Sequence, residues 1–157
     1  MKIAVHGLGR MGMQIARKLA ESGQHEVIAH NRSPEPIDEA VTYGAVAAYT
    51  VDDVVTIFGD DPADVWVMLP AEITADIIRD WAGRLKPGSI IINGANYDYR
   101  QESELNELVK QAGMQYADIG VSGGVWGYQN GFPLMCGSDE EAAYETLKPA
   151  LDTLAAP

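Results

Sequence analysis

The 157-residue sequence is poor in cysteine, in basic residues and in long apolar runs. Its single cysteine, Cys136, has no partner for an internal disulfide or a CxxC metal motif, so we predict a small core residue in a reducing, cytoplasmic protein. No stretch approaches the roughly 20 apolar residues that a membrane-spanning helix needs, so we expect no membrane role. The first strand-like segment begins at Lys2, so we expect no export signal.

Basic residues are scarce, because 11 Lys and Arg stand against 23 Asp and Glu, for a formal net charge of −12. This balance argues against nucleic acid as a partner, since neutralising phosphates requires clustered Lys and Arg. An acidic domain that binds an anion must place its few basic residues and its helix N-termini at the site. His6, His25 and His30 lack the spacing of a metal site, and His6 is predicted to be a buried core histidine.

Strand-like apolar runs alternate with helical patterns along the whole sequence. This alternation predicts an α/β fold of Rossmann type, with a doubly wound, mostly parallel sheet and helices on both faces. The length predicts one domain over residues 1–157. The predicted strands cover residues 2–6, 26–30, 46–48, 65–69, 89–93, 115–119 and 134–137.

Local signals mark the ends of several helices. Ser138 followed by Glu141 forms a capping-box pattern that predicts the start of the last helix. Gly23, Gly83 and Gly113 stand where helix ends need a residue that tolerates a positive φ.

A glycine-rich turn follows the first strand directly and reads Gly7-Leu8-Gly9-Arg10-Met11-Gly12. In a GxGxxG motif the first glycine permits the tight turn, the second lets the backbone approach a pyrophosphate, and the third allows close packing of helix on strand. The flanking strand, helix and next strand all fall where the motif requires. We therefore predict that these residues bind a dinucleotide cofactor.

The second strand ends at Asn31-Arg32-Ser33, where NAD-selective sites carry an Asp or Glu that bonds the ribose 2′-hydroxyl. Asn31 removes the negative charge that would repel a 2′-phosphate, Arg32 offers a guanidinium for it, and Ser33 adds a hydroxyl. This turn predicts NADP as the preferred cofactor, with NAD possible. In the alternative interpretation, Asn31 is a turn former and Arg32 a solvated loop residue.

The fourth predicted strand runs into Met68, Leu69 and Pro70. Ligands of open parallel sheets bind outside the carboxyl ends of the strands, which makes these residues candidate apolar neighbours of the nicotinamide half. Ordinary core packing is the alternative for Met68.

Three segments resemble the N-terminal domain of decarboxylating 6-phosphogluconate dehydrogenases, especially the shorter bacterial type, and the resemblance extends over essentially the whole sequence. They are the glycine turn, the run from Val67 to Pro70, and above all Val121-Ser122-Gly123-Gly124-Val125-Trp126-Gly127. The turn at residues 31–33 is similar to the NADP-selecting turn of that family.

The resemblance implies that Ser122, Gly123 and Gly124 bind substrate beside the nicotinamide. It also implies that Asn96, in the turn Gly94-Ala95-Asn96-Tyr97, lies between cofactor and substrate. Ala95 and Tyr97 depart from the family's GGNS turn. The implied reaction is oxidative decarboxylation of 6-phosphogluconate, a sugar-acid phosphate, to ribulose 5-phosphate in the pentose phosphate pathway.

The family's general acid/base lysine and its partner glutamate belong to a helical second domain, which has no counterpart in residues 1–157. We therefore expect no catalytic residue in this chain, and a cofactor-binding domain that is inactive alone. The surface that the second domain would cover is a candidate for self-association.

Two other interpretations stay open. The chain could be a stand-alone module that binds or senses NAD(P) without catalysis. It could also be the corresponding domain of a β-hydroxyacid dehydrogenase or an imine reductase, which is compatible with Ala95 and Tyr97.

Overall fold

The computed structural model describes residues 1–95, 99–138 and 141–155, without the side chains of residues 99 and 125. Strands and helices alternate throughout these residues. The strands are β1 (Lys2–His6), β2 (Glu26–His30), β3 (Val46–Ala48), β4 (Asp64–Val67), β5 (Ile90–Asn93), β6 (Gln115–Val121) and β7 (Leu134–Ser138). The helices are α1 (Arg10–Glu21), α2 (Pro34–Thr42), α3 (Val51–Phe58), α4 (Ala71–Arg84), α5 (Tyr99–Gln111), α6 (Gly124–Asn130) and α7 (Glu141–Leu154).

The strands form one sheet in the order β3-β2-β1-β4-β5-β6-β7. All neighbouring pairs are parallel except β6 and β7, which run antiparallel with Ile119 opposite Cys136. The strand order reverses between β1 and β4, which is the topological switch point where open α/β sheets bind ligands. The predicted Rossmann-type fold is confirmed, and none of the described helices has the length and apolarity to cross a membrane.

Two hydrophobic clusters cover the two faces of the sheet, because successive side chains of a strand point to opposite faces. On β1, Ile3 and Val5 belong to one cluster and Ala4 to the other. The first cluster includes the buried stripes of α1, α2 and α7, and the second those of α3, α4 and α5. The sheet is therefore doubly wound.

Two local predictions are wrong. Cys136 is exposed rather than part of the core, because it lies on β7, an antiparallel edge strand with little covering it. Gly83 lies inside α4 and has no positive φ, whereas Gly23 and Gly113 have φ of +72° and +82° as predicted. The capping box predicted at Ser138 runs through residues 139–140, which lie outside the described residues.

Two buried histidines end β1 and β2 next to each other. The indole Nε1 of Trp81 donates to Nδ1 of His6 at 3.0 Å, and Nδ1 of His30 lies 2.8 Å from the carbonyl oxygen of Ala48. The two imidazole rings are 4.5 Å apart. Burial, with a smaller effect of His30, lowers the pKa of His6 to about 3, so this imidazole is neutral at physiological pH. The predicted role of His6 as a satisfied core residue is confirmed.

Replacing His6 by Asn tests this assignment through the pH dependence of stability. An unfolded histidine takes up a proton as the pH falls below about 6.5, whereas folded His6 does not until about pH 3, so acid destabilises the native protein. We expect the wild type to lose about 1.6 kcal/mol relative to His6→Asn between pH 6.5 and 5, with a slope that approaches about 1.4 kcal/mol per pH unit at the acid end.

Asn keeps an acceptor for Trp81, and groups that titrate in both proteins cancel in the difference. Chemical denaturation at several pH values measures the two curves. Parallel curves would contradict a depressed pKa at His6.

Candidate functional site

The predicted site residues follow the carboxyl ends of neighbouring strands along one edge of the sheet. The glycine turn follows β1, residues 31–33 follow β2, residues 68–70 follow β4, the turn at 94–95 follows β5, and residues 122–124 follow β6. Because β2, β1, β4, β5 and β6 are adjacent and parallel, these turns form a continuous row. Asn96 and Tyr97 lie outside the described residues.

Within the glycine turn, Gly7 and Gly12 are required by the chain's own packing. Gly7 has a φ of +108°, and a Cβ there would lie 2.2 Å from the carbonyl oxygen of Met68. A Cβ on Gly12 would lie 1.9 Å from the carbonyl oxygen of Gly7. Both positions therefore exclude any side chain, since the atoms in the way are backbone atoms that cannot rotate aside.

Gly9 differs from the other two glycines of the motif. It is the exposed N-cap of α1 with an ordinary φ of −69°, and a Cβ there would meet no atom within 4 Å. Nothing inside the molecule requires glycine at this position. The space beside Gly9 is open at the N-terminus of α1, and helix N-termini have free backbone N–H groups that can hold an anion.

Asn31 connects the turn after β2 to the glycine turn. Its Oδ1 accepts a hydrogen bond from the backbone N–H of Leu8 at 3.0 Å, and its Nδ2 donates to the carbonyl oxygen of Ser33 at 3.3 Å. The backbone N–H of Gly7 also donates to the carbonyl oxygen of His30 at 3.0 Å. The two turns therefore form one unit, a connection that the sequence pattern did not indicate.

Positive charge and free donors lie on the exposed side of this unit. Arg10 and Arg32 are both exposed, and neither guanidinium has an ion-pair partner in the described ranges. Ser33 is the N-cap of α2, and its side chain makes no capping hydrogen bond. These three side chains are available to a ligand, and the first turn of a helix favours an anion there.

The segment after β4 packs on both faces of the sheet. Met68 is half-buried against the first hydrophobic cluster, Leu69 against the second, and Pro70 is exposed as the residue before α4. The backbone N–H of Met68 donates to the carbonyl oxygen of His6 at 2.8 Å. Met68 and Leu69 thus contribute to core packing as well as to the rim of the site.

A cavity of about 400 Å³ lies between the turn after β5 and the ends of β6 and β7. Its described lining is largely apolar: Gly94, Ala95, Gly120, Val121, Ser122, Pro133, Leu134 and Met135. A Cβ on Gly94 would lie 2.1 Å from Sδ of Met68 and 2.7 Å from the indole Nε1 of Trp66, so glycine is required at this wall.

The predicted substrate segment contributes to this cavity unequally. Ser122 lines the cavity, whereas Gly123 and Gly124 are not among its described lining residues and instead open helix α6. Their φ values of +100° and +50° are the left-handed conformation that favours glycine. The backbone conformation therefore favours glycine at these two positions, independently of any contact with a ligand.

Helix α6 is held on α1 by a cluster that sequence reasoning missed. The guanidinium of Arg17 lies between the rings of Tyr43 and Tyr128, 4.3 and 4.4 Å from their centroids. Glu21 pairs with Arg17 at 2.6 Å and accepts a hydrogen bond from the hydroxyl of Tyr128. The spacing of Arg17 and Glu21 by four residues indicates a pair on one helix face, but no local pattern indicates Tyr128 as their partner.

Among the described residues, no group of three or more His, Cys, Asp or Glu side chains is arranged to bind a metal ion. Lys86 and Lys148 are exposed and pair with Asp60 and Asp152. Neither lysine is therefore placed as an acid/base group at the row of turns.

The fold, the switch point and the glycine turn define a dinucleotide-binding domain of Rossmann type. The family model for the NAD binding domain of 6-phosphogluconate dehydrogenase matches residues 2–157, and the chain belongs to this family. It is the NAD(P)-binding domain of a 6-phosphogluconate dehydrogenase-like protein.

Curated relatives and solved structures agree with this assignment. The chain is 35% identical to an NAD(+)-dependent, decarboxylating 6-phosphogluconate dehydrogenase of Haloferax volcanii, over 99% of the chain and 50% of the relative. It is 30% identical to an NADP(+)-dependent, decarboxylating enzyme of Bacillus subtilis, over 99% of the chain and 34% of that relative.

Among solved structures, Plasmodium falciparum 6-phosphogluconate dehydrogenase matches with a TM-score of 0.87 at 24% identity, over 100% of this chain and 34% of that one. A 3-hydroxyisobutyrate dehydrogenase of Mycobacterium tuberculosis matches with a TM-score of 0.85 at 24% identity, over 98% of this chain and 52% of that one. At this level of identity the two structures share the fold. The chain spans between a third and a half of the length of these proteins.

The contrast between Gly9 and Gly12 gives a matched pair of substitutions. Gly12→Ala forces a Cβ against backbone and should destabilise folding by about 3 kcal/mol, the upper end of overpacking costs. Gly9→Ala meets open space and should cost about 1 kcal/mol or less, as at other N-caps, while lowering dinucleotide affinity at least tenfold. Thermal unfolding and calorimetric titration measure both. Unchanged affinity in Gly9→Ala would contradict a pyrophosphate position at this N-terminus.

Proposed function

We propose that this chain is the NADP-preferring cofactor domain of an enzyme that oxidatively decarboxylates 6-phosphogluconate to ribulose 5-phosphate. The observation that carries the cofactor preference is the turn after β2. It has an amide where NAD-selective sites have a carboxylate, and beside it Arg32 and Ser33 are exposed and free to bind. A 2′-phosphate there meets a guanidinium and the first turn of α2 without a repelling charge.

The pyrophosphate is assigned to the glycine turn. The backbone N–H groups at the start of α1 supply the donors, Gly9 leaves the space, and Arg10 adds a positive charge at the same helix end. Leu8 and Met11 complete the turn, with Leu8 held through its N–H by Asn31. The nicotinamide half is assigned to the rim formed by Met68, Leu69 and Pro70.

The substrate is assigned to the cavity beside the turn after β5. Ser122 lines this cavity and offers a hydroxyl to a sugar-acid oxygen. Asn96, Gly123 and Gly124 are assigned to the substrate from the family resemblance alone. The chain's own residues bind and orient the two reactants. The acid/base groups that move the 3-hydroxyl proton are assigned to the helical second domain, so this chain alone should not turn over substrate.

Two large apolar side chains are strongly exposed at this end of the domain's sequence. Met135, which lines the cavity, is 81% exposed, and Trp126 of α6 is 68% exposed. We propose that the second domain of the enzyme covers them, and that they promote self-association when it is absent.

Calorimetric titration of the chain with NADP and with NAD, at one stated ionic strength, tests the cofactor assignment. We expect tighter binding of NADP. Binding of NAD that is equal or tighter would refute the preference, and binding of neither would mean that the site is incomplete without further chain.

Replacing Asn31 by Asp sharpens this test. Asp keeps the Oδ1 acceptor for the N–H of Leu8, which holds the glycine turn, but it loses the Nδ2 donor to the carbonyl oxygen of Ser33 and adds a negative charge beside the 2′-phosphate. We expect NADP affinity to fall roughly tenfold to a hundredfold, the equivalent of about 1.5–3 kcal/mol for a charge-assisted contact, with NAD affinity unchanged or improved.

Two further variants control for general effects. Arg32→Gln should weaken NADP but not NAD. Arg79→Gln removes an exposed arginine paired with Asp76 on α4 and should change neither affinity. An equal loss for both cofactors in Asn31→Asp would indicate a damaged turn instead of a selectivity effect.

A second candidate function concerns the substrate. Ala95 lines the cavity at the position where the family's turn has a second glycine, and this departure favours a β-hydroxyacid or an imine as an alternative. Joining the chain to the helical half of a relative and measuring turnover on each substrate separates the candidates. Turnover of an imine or a β-hydroxyacid, but not of 6-phosphogluconate, would make this second candidate function the preferred one.

A further inference from the structure

A buried polar network joins β5, β6 and α5 at the base of the turn that follows β5. Asn93, the last residue of β5, is fully buried. Its Oδ1 accepts a hydrogen bond from the backbone N–H of Ala95 at 2.9 Å, which closes the turn. Its Nδ2 donates to Oε1 of Glu102 and to the hydroxyl of Tyr116, each at 3.0 Å. The conformation of the turn is thus linked to side chains on two other elements.

Glu102 of α5 is the centre of this network. Its Oε1 accepts from the amide of Asn93 and from the hydroxyl of Tyr116, each at 3.0 Å, and its carboxyl group lines the same small cavity as that of Asp118 on β6. Two neighbouring carboxylates repel, so the pair favours a state in which one of the two groups holds a proton. Loss of that proton should push the Glu102 carboxyl group away from Asp118 and so from its contacts with Asn93 and Tyr116.

The fold provides room for this pair at the edge of the sheet. A Cβ on Gly137 of β7 would lie 2.2 Å from Oδ1 of Asp118, so glycine is needed opposite the carboxyl group. The pair lines a cavity of about 230 Å³ that also includes Tyr116 and Ser138. This cavity is separate from the apolar one, although Asn93 and Ala95 connect the two.

The titratable groups around Glu102 come from its neighbouring elements. On β6 they are Asp118 and Tyr116, and on β7 Cys136 lies next to Gly137, the residue opposite Asp118. On α4, which packs against α5, the acidic residues Asp76 and Asp80 pair with arginines of the same helix. On α5 itself, Arg100 lies two residues before Glu102 and is the nearest cation along the chain.

We propose that Glu102 and Asn93 are positioning residues for the cofactor site: the proton shared by Glu102 and Asp118 holds the turn after β5, and its loss loosens that turn and weakens dinucleotide binding. The proposal rests on the function proposed above, in which the turn lies beside the nicotinamide. Burial and the neighbouring Asp118 raise the pKa of Glu102 to about 7. The shared proton is therefore held below about pH 7 and lost above it, so binding should weaken as the pH rises.

Replacing Glu102 by Gln removes the titration and keeps the hydrogen bonds. The Gln Oε1 still accepts from Asn93 and Tyr116, and its Nε2 donates to Asp118. We expect the ratio of dinucleotide affinities, variant over wild type, to rise at least threefold between pH 6 and pH 8.5, with a midpoint near 7. Taking the ratio at each pH cancels the titration of the cofactor's own phosphates. An unchanged ratio would overturn the proposal.

Two more variants serve as controls for this comparison. Asp118→Asn removes the other carboxylate and should flatten the profile in the same way, which guards against a local defect in Glu102→Gln. Glu104→Gln lies on the exposed side of the same helix and should leave the wild-type profile unchanged. A flattened profile in Glu104→Gln would assign the effect to net charge and overturn the proposal.

A cofactor-free measurement separates this inference from the proposed function. The ¹⁵N and ¹H shifts of the Ala95 amide should titrate with a midpoint near pH 7 in the wild type and stay flat in Glu102→Gln. If they do so while no dinucleotide binds, the control of the turn stands and the cofactor assignment fails. If the Ala95 amide titrates equally in both proteins, the shared proton does not hold the turn.

Discussion

The close approach of α1 to β1 at Gly7 and Gly12 is the contact on which the rest of the site depends. Because the carbonyl oxygen of Gly7 occupies the space of a Cβ on Gly12, the helix can begin directly over the end of the strand. This position directs the N-terminus of α1 to the switch point of the sheet. It also lets Ile15 and Leu19 pack into the cluster that covers that face.

Hydrogen bonds connect the glycine turn and β1 to the neighbouring turns. Gly7 is bonded to His30, Leu8 to Asn31, and Met68 to His6, so the turns after β1, β2 and β4 are fixed relative to one another. The next turn continues the row, because the N–H of Gly94 donates to the carbonyl oxygen of Val67 at 2.9 Å. A ligand along this edge therefore meets a surface whose geometry is set by the sheet.

The sequence was sufficient to predict the elements and the row of turns, since both depend on local periodicity and on the order of parallel strands. It could not predict contacts between residues far apart in the chain. Tyr128 stacks on Arg17, and Glu102 meets Asp118, only because the topology places α6 on α1 and α5 beside β6. The prediction that Cys136 is a core residue is wrong for a similar reason. Nothing in the local sequence marks β7 as an exposed edge strand.

The residues of the cofactor turns differ in how much freedom the fold leaves them. At Gly7 and Gly12 any Cβ meets backbone, so these positions cannot change without moving the helix. At Asn31 the fold uses first an acceptor for the N–H of Leu8 and second a longer, exposed contact to the carbonyl oxygen of Ser33, and at Arg32 the described structure requires nothing. Carboxylate and amide satisfy the first requirement equally well. Cofactor preference can therefore change within this family while the dinucleotide-binding turn stays the same, which fits relatives whose names specify NAD(+) in one case and NADP(+) in another.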